Sequence, residues 1–517
     1  MNNAFLWLIV LPLLAAPIIY LAGRIPFRRS AFHALTLDGQ LILENPKSRI
    51  PVVLALIALL AMWVPFVYAA IQLNASGPTS YTLGAITLRM DGLSLLLAAV
   101  ALGLGTLVVI FSGPYMADDV GEEKYYALLV ALIGVMIGLG CANDLFNLWV
   151  WFEAMAVSTY LLVAFYHEQS ASLEAGIKYL VQSTSGSILV LLGIALTFGI
   201  TGTLNLDQIH AAARSAGPNS TGLFVAGALF IVGFGVKAAI VPMHTWLPDA
   251  HSQAPSGISA MLSGVVIEAG LVALLRGLSA LGAITLSWST LLLAFGALNM
   301  LVGNLMALRQ TQVKRLLAFS SLSHIGYMLL GLGIALYSGQ AAGAEGSFFH
   351  LLNHGMMKGL AFLAAGVLLY GLHIANQSHE PLTITDLAGA SRRYPLAALA
   401  LSIAVLGLGG LPPLAGFMSK WQIFVAGFQT NNAIIEGLVI FAALNSVLSL
   451  GYYAPLINVM YRQEPSPAVQ RGCPMPVAMG IPLVLLALAT IVIGVWPTLV
   501  QWLTGPAGQA LMTAFGG

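Results

Sequence analysis

The stretch from Phe234 to Gly270, FGVKAAIVPMHTWLPDAHSQAPSGISAMLSGVVIEAG, restricts the fold of this chain more than any other. It places Lys237 inside an apolar run, and five residues later Pro242 removes a backbone donor from what should be a membrane helix. A charge and a break at membrane depth are tolerated where they face protein or a water-filled interior. The stretch therefore predicts an interrupted helix beside an ion path, and a proline kink with a snorkelling lysine is the alternative.

The composition indicates a polytopic membrane protein, because 59% of the 517 residues are hydrophobic and only 8% are charged. The net charge of +1 and the lack of a basic cluster with interleaved aromatic residues argue against nucleic acid as a partner. Cys141 and Cys473 stand far apart, and no histidine and carboxylate cluster has the spacing of metal ligands. We therefore expect no metal, no iron–sulfur cluster and no other cofactor in this chain.

Apolar runs of about 20 residues predict fourteen membrane spans. They lie near 4–23, 50–74, 91–113, 125–142, 144–165, 175–200, 222–246, 255–275, 285–308, 315–337, 347–372, 394–428, 433–461 and 475–503. Fourteen lysines and arginines fall in one set of alternate loops and three in the other, while Lys237, Lys358 and Lys420 fall inside spans. Positive charge stays on the cytoplasmic side, so both termini of this cell (inner) membrane protein are expected on the non-cytoplasmic side.

A second interrupted span is predicted at Gly407–Lys420, GLGGLPPLAGFMSK, where Pro412 and Pro413 precede Lys420. The broken spans are the seventh and the twelfth, each the fourth member of a five-span block. Paired breaks predict two inverted repeats with the functional site near their interface, and coincidental proline placement is the alternative. The regions are 1–124 (spans 1 to 3), 125–283 (first repeat), 284–461 (second repeat) and 462–517 (span 14).

Glu153, in NLWVWFEAMAVSTYLLVAF, is an isolated carboxylate that is costly within a membrane unless it is paired. Lys237 is its predicted partner, because no other lysine between residues 150 and 300 lies deep in a span. At a separation of about 6 Å and an effective dielectric constant near 20, the attraction is about 3 kcal/mol. Such a pair can hold a proton that is lost when the two charges separate; a static ion pair is the alternative.

Span 11 contains FFHLLNHGMMKGLAF, which places His350, His354 and Lys358 at steps of four residues along one helical face. Because histidine titrates near neutral pH, this stripe predicts a proton relay, whereas a single histidine would more often bond a nearby carbonyl. Glu268 in span 8 and Lys420 extend the series. Further candidates are His324, as a relay or packing residue, and Asp249 and His251, as proton access or solvated loop residues.

These stretches resemble the antiporter-like, proton-translocating membrane subunits of respiratory complex I, group 4 membrane-bound hydrogenases and Mrp-type Na⁺/H⁺ antiporters. The motifs are FEAMAVSTYLLVAF, GFGVKAAIVPMHTWLPDAHSQAPSGISAMLSGV, KRLLAFSSLSHIGYM, FFHLLNHGMMKGLAFL and GLPPLAGFMSK, within about residues 125 to 460. The resemblance implies fourteen helices with two inverted repeats. It also implies a pair at Glu153 and Lys237, a central axis at His324, His350, His354 and Lys358, and a terminal lysine at Lys420.

Glu268 departs from this pattern, since many relatives carry a lysine there. A carboxylate relay, a loss of pumping and a bound cation all remain open at this position. The leading hypothesis is a proton-translocating subunit of a multi-subunit redox complex, resembling NADH:quinone oxidoreductase or hydrogenase, with antiporter-like paralogues as partners. The alternatives are a subunit of a Na⁺/H⁺ antiporter, in which Na⁺ is also a ligand, and a non-conducting structural subunit.

Overall fold

The structure, a computed structural model, describes residues 3–25, 32–35, 41–44, 49–117, 119–216, 221–282, 287–374 and 380–516. Within these ranges twelve helices are long and apolar enough to cross a membrane. The predicted all-α polytopic class is therefore confirmed. The described strands form two small antiparallel hairpins that the sequence analysis did not predict: β1 (Phe32–Leu35) with β2 (Leu41–Glu44), and β3 (Thr79–Leu83) with β4 (Ile86–Met90).

The first six membrane helices agree with the predicted spans to within about five residues. They are α1 (Trp7–Arg24), α2 (Ile50–Ser76), α3 (Gly92–Tyr115), α4 (Glu122–Cys141), α5 (Leu145–Val163) and α6 (Ser170–Thr201). The short turn between α4 and α5 has a local cause, because the Asp144 carboxylate accepts a hydrogen bond of 2.7 Å from the Asn147 backbone N–H. This side-chain cap allows a new helix to begin directly after the turn.

The seventh span is broken as predicted, but its boundary differs from the prediction. After the amphipathic α7 (Leu206–Ala216), which was not predicted, α8 (Thr221–Lys237) ends at Lys237, and α9 (Trp246–Gln253) begins after the break. The predicted helical end at residue 246 is therefore wrong. The chain leaves the helix at Ala239, whose positive φ of 54° is incompatible with a right-handed helix; the Val241-Pro242 peptide bond that follows is cis.

The three most deeply buried long helical segments, Ser256–Ala280, Val313–Ser338 and Ala342–Leu372, are among those that follow the break. A continuous segment contains α10 (Ser256–Met261), a π-helical turn (Leu262–Val266) and α11 (Ile267–Ala280); then come α12 (Trp288–Ala307), α13 (Val313–Ser338) and α14 (Ala342–Leu372). The apolar windows of Ser256–Ala280 and Val313–Ser338 are 100% buried, against 33% for α1 and α2. Charged side chains on these central helices therefore face protein and not lipid.

The twelfth span consists of α15 (Pro395–Gly409) and α16 (Ala415–Phe428), separated by a non-helical segment that contains the cis Pro412-Pro413 bond. It is followed by α17 (Ala433–Arg462), the short α18 (Pro467–Arg471), α19 (Val477–Val495) and α20 (Gln501–Phe515). The predicted span 475–503 is wrong at its end, because Pro497 interrupts the run and α20 packs back against α3 and α14.

Helix α14 lies at the centre of the packing, in contact with α3, α10, α13, α15, α16, α19 and α20. The twelve long helices and the two broken ones occupy the positions of the fourteen predicted spans. The division into regions and the inverted relation of the two blocks stay predictions. The two breaks and the histidine-bearing α14 together supply the polar groups of the interior.

Candidate functional site

Seven of the eight predicted relay residues are buried, and Glu153 is half-buried. The buried ones are Lys237, Glu268, His324, His350, His354, Lys358 and Lys420. Charges are rare in membrane interiors and are usually paired or line a conducting path. The hydrogen-bond partners of each residue therefore show which of these relay residues lie in contact with one another.

Lys237 is the last residue of α8, and three hydroxyl groups bind its ammonium. Its ammonium donates to Thr159 Oγ1 at 3.2 Å, to the Tyr179 hydroxyl at 2.7 Å and to Ser183 Oγ at 3.1 Å. It also lies 4.3 Å from the centroid of the Tyr179 ring, which stacks on Trp246 of α9. The three N–H donors of the ammonium are thus satisfied, and Tyr179 connects Lys237 to the far side of the break.

Glu153 contacts a hydroxyl group and not the lysine. Ser187 Oγ donates to Glu153 Oε2 at 2.5 Å and accepts a bond of 2.9 Å from Trp149 Nε1. In the part of the chain that the structure describes, no ion pair within 4.0 Å joins Glu153 to Lys237. Ser183 and Ser187 lie one turn apart on α6, so the predicted pair is separated by two serine hydroxyls.

The break after Lys237 is held by Asn299 of α12. Asn299 Oδ1 accepts from the Val241 backbone N–H at 2.9 Å, and its Nδ2 donates to Ala239 O at 3.2 Å and to Leu322 O at 3.3 Å. One buried amide therefore satisfies backbone groups freed by the break and ties it to α13. The sequence analysis missed this residue; an asparagine inside an apolar span was the signal for it.

Glu268 and three histidines form a chain across the centre. His354 Nδ1 lies 2.8 Å from Glu268 Oε1, and the ring of His354 lies 5.2 Å from that of His324. His324 Nδ1 lies 2.9 Å from His350 Nε2, and His350 Nδ1 lies 2.9 Å from Ser419 Oγ. The fold thus brings together groups from α11, α14, α13 and α16 that can each carry or pass a proton.

Lys358 and Lys420 are each held by one carbonyl and one hydroxyl. Lys358 donates to Leu317 O at 2.7 Å and to Ser320 Oγ at 2.5 Å. Lys420 donates to Leu408 O and to Ser446 Oγ, both at 2.8 Å, and lies 4.5 Å from the centroid of the Tyr327 ring. The Leu408 carbonyl belongs to the last turn of α15, where the helix dipole favours a cation.

Asp249 and His251 have different surroundings. Asp249 is partly exposed and forms ion pairs with Lys178 at 3.2 Å and Arg315 at 2.5 Å. His251 is fully buried and stacks on Phe362 with ring centroids 4.7 Å apart, and neither ring nitrogen has a hydrogen-bond partner among the described residues. The expectation of a solvated loop residue is therefore wrong for His251, because α9 folds back into the protein.

Two broken membrane helices around a buried set of lysines, histidines and carboxylates define a class of polytopic ion-translocating membrane proteins. A family model described as the membrane region of NADH:quinone oxidoreductase/Mrp antiporter matches residues 142–449. A second model, for the N-terminus of complex I chain 5, matches residues 84–126. The chain belongs to the NADH:quinone oxidoreductase/Mrp antiporter membrane-subunit family.

Individual relatives agree with this assignment. The chain is 35% identical over 425 residues to F(420)H(2) dehydrogenase subunit N of Methanosarcina mazei, covering 81% of this chain and 83% of the relative. It is 33% identical over 430 residues to NADH-quinone oxidoreductase subunit N of Chloroflexus aggregans, covering 81% and 84%. A chain of the archaeal membrane-bound sulfane sulfur reductase, a respiratory membrane complex, superposes with a TM-score of 0.85 at 31% identity, covering 99% and 98%.

Proposed function

We propose that this chain is a proton-translocating membrane subunit of a multi-subunit, redox-driven complex. The observation that carries the proposal is the buried chain Glu268–His354–His324–His350–Ser419, flanked by three intramembrane lysines. Its relatives include named subunits of an F(420)H(2) dehydrogenase and of NADH-quinone oxidoreductases, which supports a redox-driven assembly. The partners are other membrane subunits of that complex, including antiporter-like paralogues.

In this proposal the chain itself carries no cofactor, and electrons stay in the partner subunits. The protein lies in the cell membrane with both termini on the non-cytoplasmic side, as the uneven distribution of lysine and arginine between alternate loops predicts. Residues 125–283 and 284–461 form two inverted repeats, and Pro242, Pro412 and Pro413 mark their corresponding breaks. Partner rearrangements reach the relay through these breaks, because a non-helical segment moves more readily than a continuous helix.

Lys237 and Glu153 start the path. When the partner complex draws Glu153 away, the attraction that favours the ammonium of Lys237 weakens, and Lys237 gives up a proton. Asp249 and His251 lie towards the side that carries the lysine and arginine excess and supply the replacement proton. The hydroxyls of Thr159, Tyr179 and Ser183 remain in contact with the amine in both states, because a hydroxyl can accept or donate.

Glu268 passes the proton to the histidines. Its Oε1 already contacts His354 Nδ1, so a proton can shift between carboxylate and imidazole without rearrangement of the two helices. Transfer from His354 to His350 proceeds through His324, whose Nδ1 lies 2.9 Å from His350 Nε2; because the rings of His354 and His324 are in contact but not hydrogen-bonded within the described residues, this step requires His354 to turn towards His324. A carboxylate at position 268 thus serves the role for which many relatives use a lysine.

A second function, in a Na⁺/H⁺ antiporter subunit, is favoured by one observation. Glu268 Oε2 is buried and has no hydrogen-bond partner in the part of the chain that the structure describes, so this carboxylate retains an oxygen that a small hard cation would bind. The family description also includes Mrp antiporters. In this case Na⁺ binds at Glu268 and competes with the proton that is shared with His354.

The experiment is purification of the native complex through a tag on this chain, followed by reconstitution into liposomes. NADH or F(420)H(2) is added, and proton uptake is followed with a pH-sensitive dye while Na⁺ is followed with ²²Na⁺. Donor-driven proton uptake that is unchanged when K⁺ replaces Na⁺ supports the redox-driven pump. Proton movement that requires Na⁺ and no electron donor supports the antiporter, and loss of both overturns conduction by this chain.

A further inference from the structure

Trp246, the first residue of α9, bridges the two sides of the first break. Its indole N–H donates a hydrogen bond of 2.7 Å to the carbonyl of Val236, the residue directly before Lys237 in the last turn of α8. The face of its ring stacks on Tyr179 of α6, with centroids 4.0 Å apart and ring planes 5° from parallel. Trp246 is 1% exposed and Tyr179 is fully buried, so both contacts are enclosed by protein.

Tyr179 contacts Lys237 in two ways. Its hydroxyl accepts the shortest of the three hydrogen bonds from the ammonium, at 2.7 Å, and the centroid of its ring lies 4.3 Å from Nζ. A tyrosine ring within about 6 Å attracts a cation, and the attraction is stronger where water is excluded. The hydroxyl fixes one end of the Tyr179 side chain, and the ring of Trp246 covers one face of it. The position of Trp246 therefore affects how closely the Tyr179 ring approaches the ammonium.

Other charged and titratable side chains lie on the helices around Lys237. They are Glu153 and Tyr160 on α5, Glu174, Lys178 and Tyr179 on α6, Asp249 and His251 on α9, and Glu268 and Arg276 on α11. Among the described residues, only Tyr179 of this set contacts the ammonium, and the Glu153 carboxylate attracts it through space. Tyr179 is therefore the member of this set whose position acts most directly on the charge of Lys237.

We propose that Trp246 is a positioning residue that holds Tyr179 against the Lys237 ammonium and so couples the position of α9 to the charge on Lys237. The inference rests on the proposed function. Helix α9 is itself tied to α6 and α13, because Asp249 forms ion pairs with a basic residue on each of them. A displacement of α9 moves Trp246 and withdraws its support from the Tyr179 ring, which weakens the attraction that favours the ammonium.

The test uses Trp246→Leu in the reconstituted complex, with Trp288→Leu as the matched control. Trp288 is also a buried tryptophan, its indole N–H donates to Leu281 O at 3.3 Å, and it lies outside the relay. Donor-driven proton uptake is measured between pH 6 and pH 9, and the midpoint of its fall on the alkaline side is determined. This fall reports the pH at which the groups of the path no longer take up a proton.

We expect Trp246→Leu to move the alkaline midpoint to lower pH by about 0.5 to 1 unit, because a weakened cation–π contact favours the neutral amine of Lys237. Trp288→Leu is expected to leave the midpoint unchanged. A tryptophan that only fills space would affect the amount of assembled complex and not the pH dependence of its uptake. A midpoint equal to that of wild type in assembled Trp246→Leu would therefore overturn the inference.

A double variant tests whether Trp246 acts through Tyr179. Tyr179→Leu removes both contacts with the ammonium and is expected to move the midpoint at least as far as Trp246→Leu does. Addition of Trp246→Leu to Tyr179→Leu is then expected to move it no further, because residues that act through one contact are not additive. Additive shifts of the two single variants would show that Trp246 does not act through Tyr179 and would overturn the inference.

Trp246→Phe provides a second measurement if Trp246→Leu does not assemble. Phenylalanine keeps a ring against Tyr179 but lacks the N–H that anchors the indole to Val236. We therefore expect a smaller shift in the same direction, and none in Trp288→Phe. Equal midpoints in these two phenylalanine variants would overturn the inference, whereas absence of donor-driven uptake by the wild-type complex would instead contradict the proposed function.

Discussion

The two lysines beside the broken helices, Lys237 and Lys420, have different partners. Lys237 contacts three hydroxyls, and Lys420 contacts one hydroxyl and the Leu408 carbonyl at the end of α15. A carbonyl only accepts hydrogen bonds, so it suits an ammonium, whereas a hydroxyl can turn and donate to a neutral amine. The first site is therefore built to accommodate both forms of its lysine, and the second holds the charged form more firmly.

The two lysines also differ in whether a carboxylate lies nearby. Glu153 is bound by Ser187, one turn along α6 from the Ser183 that binds Lys237, while in the described part of the chain no hydrogen bond or ion pair brings a carboxylate to Lys420. Both lysines share an aromatic neighbour, Tyr179 in one case and Tyr327 in the other. The common ring suggests equivalent positions in the two blocks, and the different acceptors suggest that the two lysines exchange protons at different stages.

The largest expected effect is that of Lys237→Met, which keeps much of the side-chain volume and removes the proton carrier. We expect donor-driven proton uptake to fall by at least about 100-fold, the lower range for loss of a proton-transfer group. Lys420→Met is expected to lower proton uptake less than Lys237→Met does, when the two variant complexes are assembled to the same level. Uptake is measured in the reconstituted complex with both variants, and normal pumping by Lys237→Met together with Glu153→Gln would show that the path does not pass through this pair.

Glu268 tests whether the central chain carries protons between the two lysine sites. Glu268→Gln keeps the shape and removes the titrating group beside His354, so we expect uptake to fall by about 30-fold, within the range for a lost acid–base group. Glu268→Lys keeps a titratable group at this position and is expected to retain part of the rate. Full activity of the Gln variant would contradict the relay and leave a structural or cation-binding role.

The hydroxyl groups that bind the two lysines provide the next test. Ser446→Ala removes the single hydroxyl at Lys420, and we expect about a tenfold loss of uptake, equivalent to the roughly 1.5 kcal/mol of one hydrogen bond to a charged group. Ser183→Ala leaves Lys237 with Thr159 and Tyr179, so about a threefold loss is expected from the remaining, rearranged contacts. Initial rates of dye quenching are compared at equal protein. If Ser183→Ala lowers uptake more than Ser446→Ala does, Lys237 and not Lys420 depends more on a single hydroxyl partner.

Spacing within one helix was sufficient to predict some parts of the site and not others. His350, His354 and Lys358 follow from steps of four residues in a single span, and the breaks follow from proline in an apolar run. The contact of Glu268 with His354 joins residues 86 positions apart, and that of Lys358 with Ser320 joins residues 38 apart, so both depend on how α11 and α13 pack against α14. The end of α8 at Lys237 also escaped prediction, because Asn299, on a different helix, stabilises the non-helical backbone.

The smallest expected effect on pumping comes from the asparagines at the two breaks. Asn299 makes three hydrogen bonds to backbone groups of α13 and the first break. Asn353 donates one bond of 2.9 Å, to Ala415 O at the second break, and its Oδ1 has no partner among the described residues. Replacement of either by leucine leaves buried backbone groups unsatisfied, at about 1–3 kcal/mol each. We therefore expect Asn299→Leu to lower the free energy of unfolding by about 3 kcal/mol and Asn353→Leu by about 1 kcal/mol.

Thermal unfolding of the detergent-solubilised complex measures this difference, with donor-driven uptake recorded on the same preparations. Uptake per assembled complex is expected to fall by only about twofold in Asn299→Leu, because the amide positions the break and does not carry the proton. If Asn353→Leu is the less stable of the two, the second break and not the first depends more on its asparagine. The hydroxyl-lined site at Lys237 would then owe its geometry mainly to Tyr179 and Trp246, which stack across the break with centroids 4.0 Å apart.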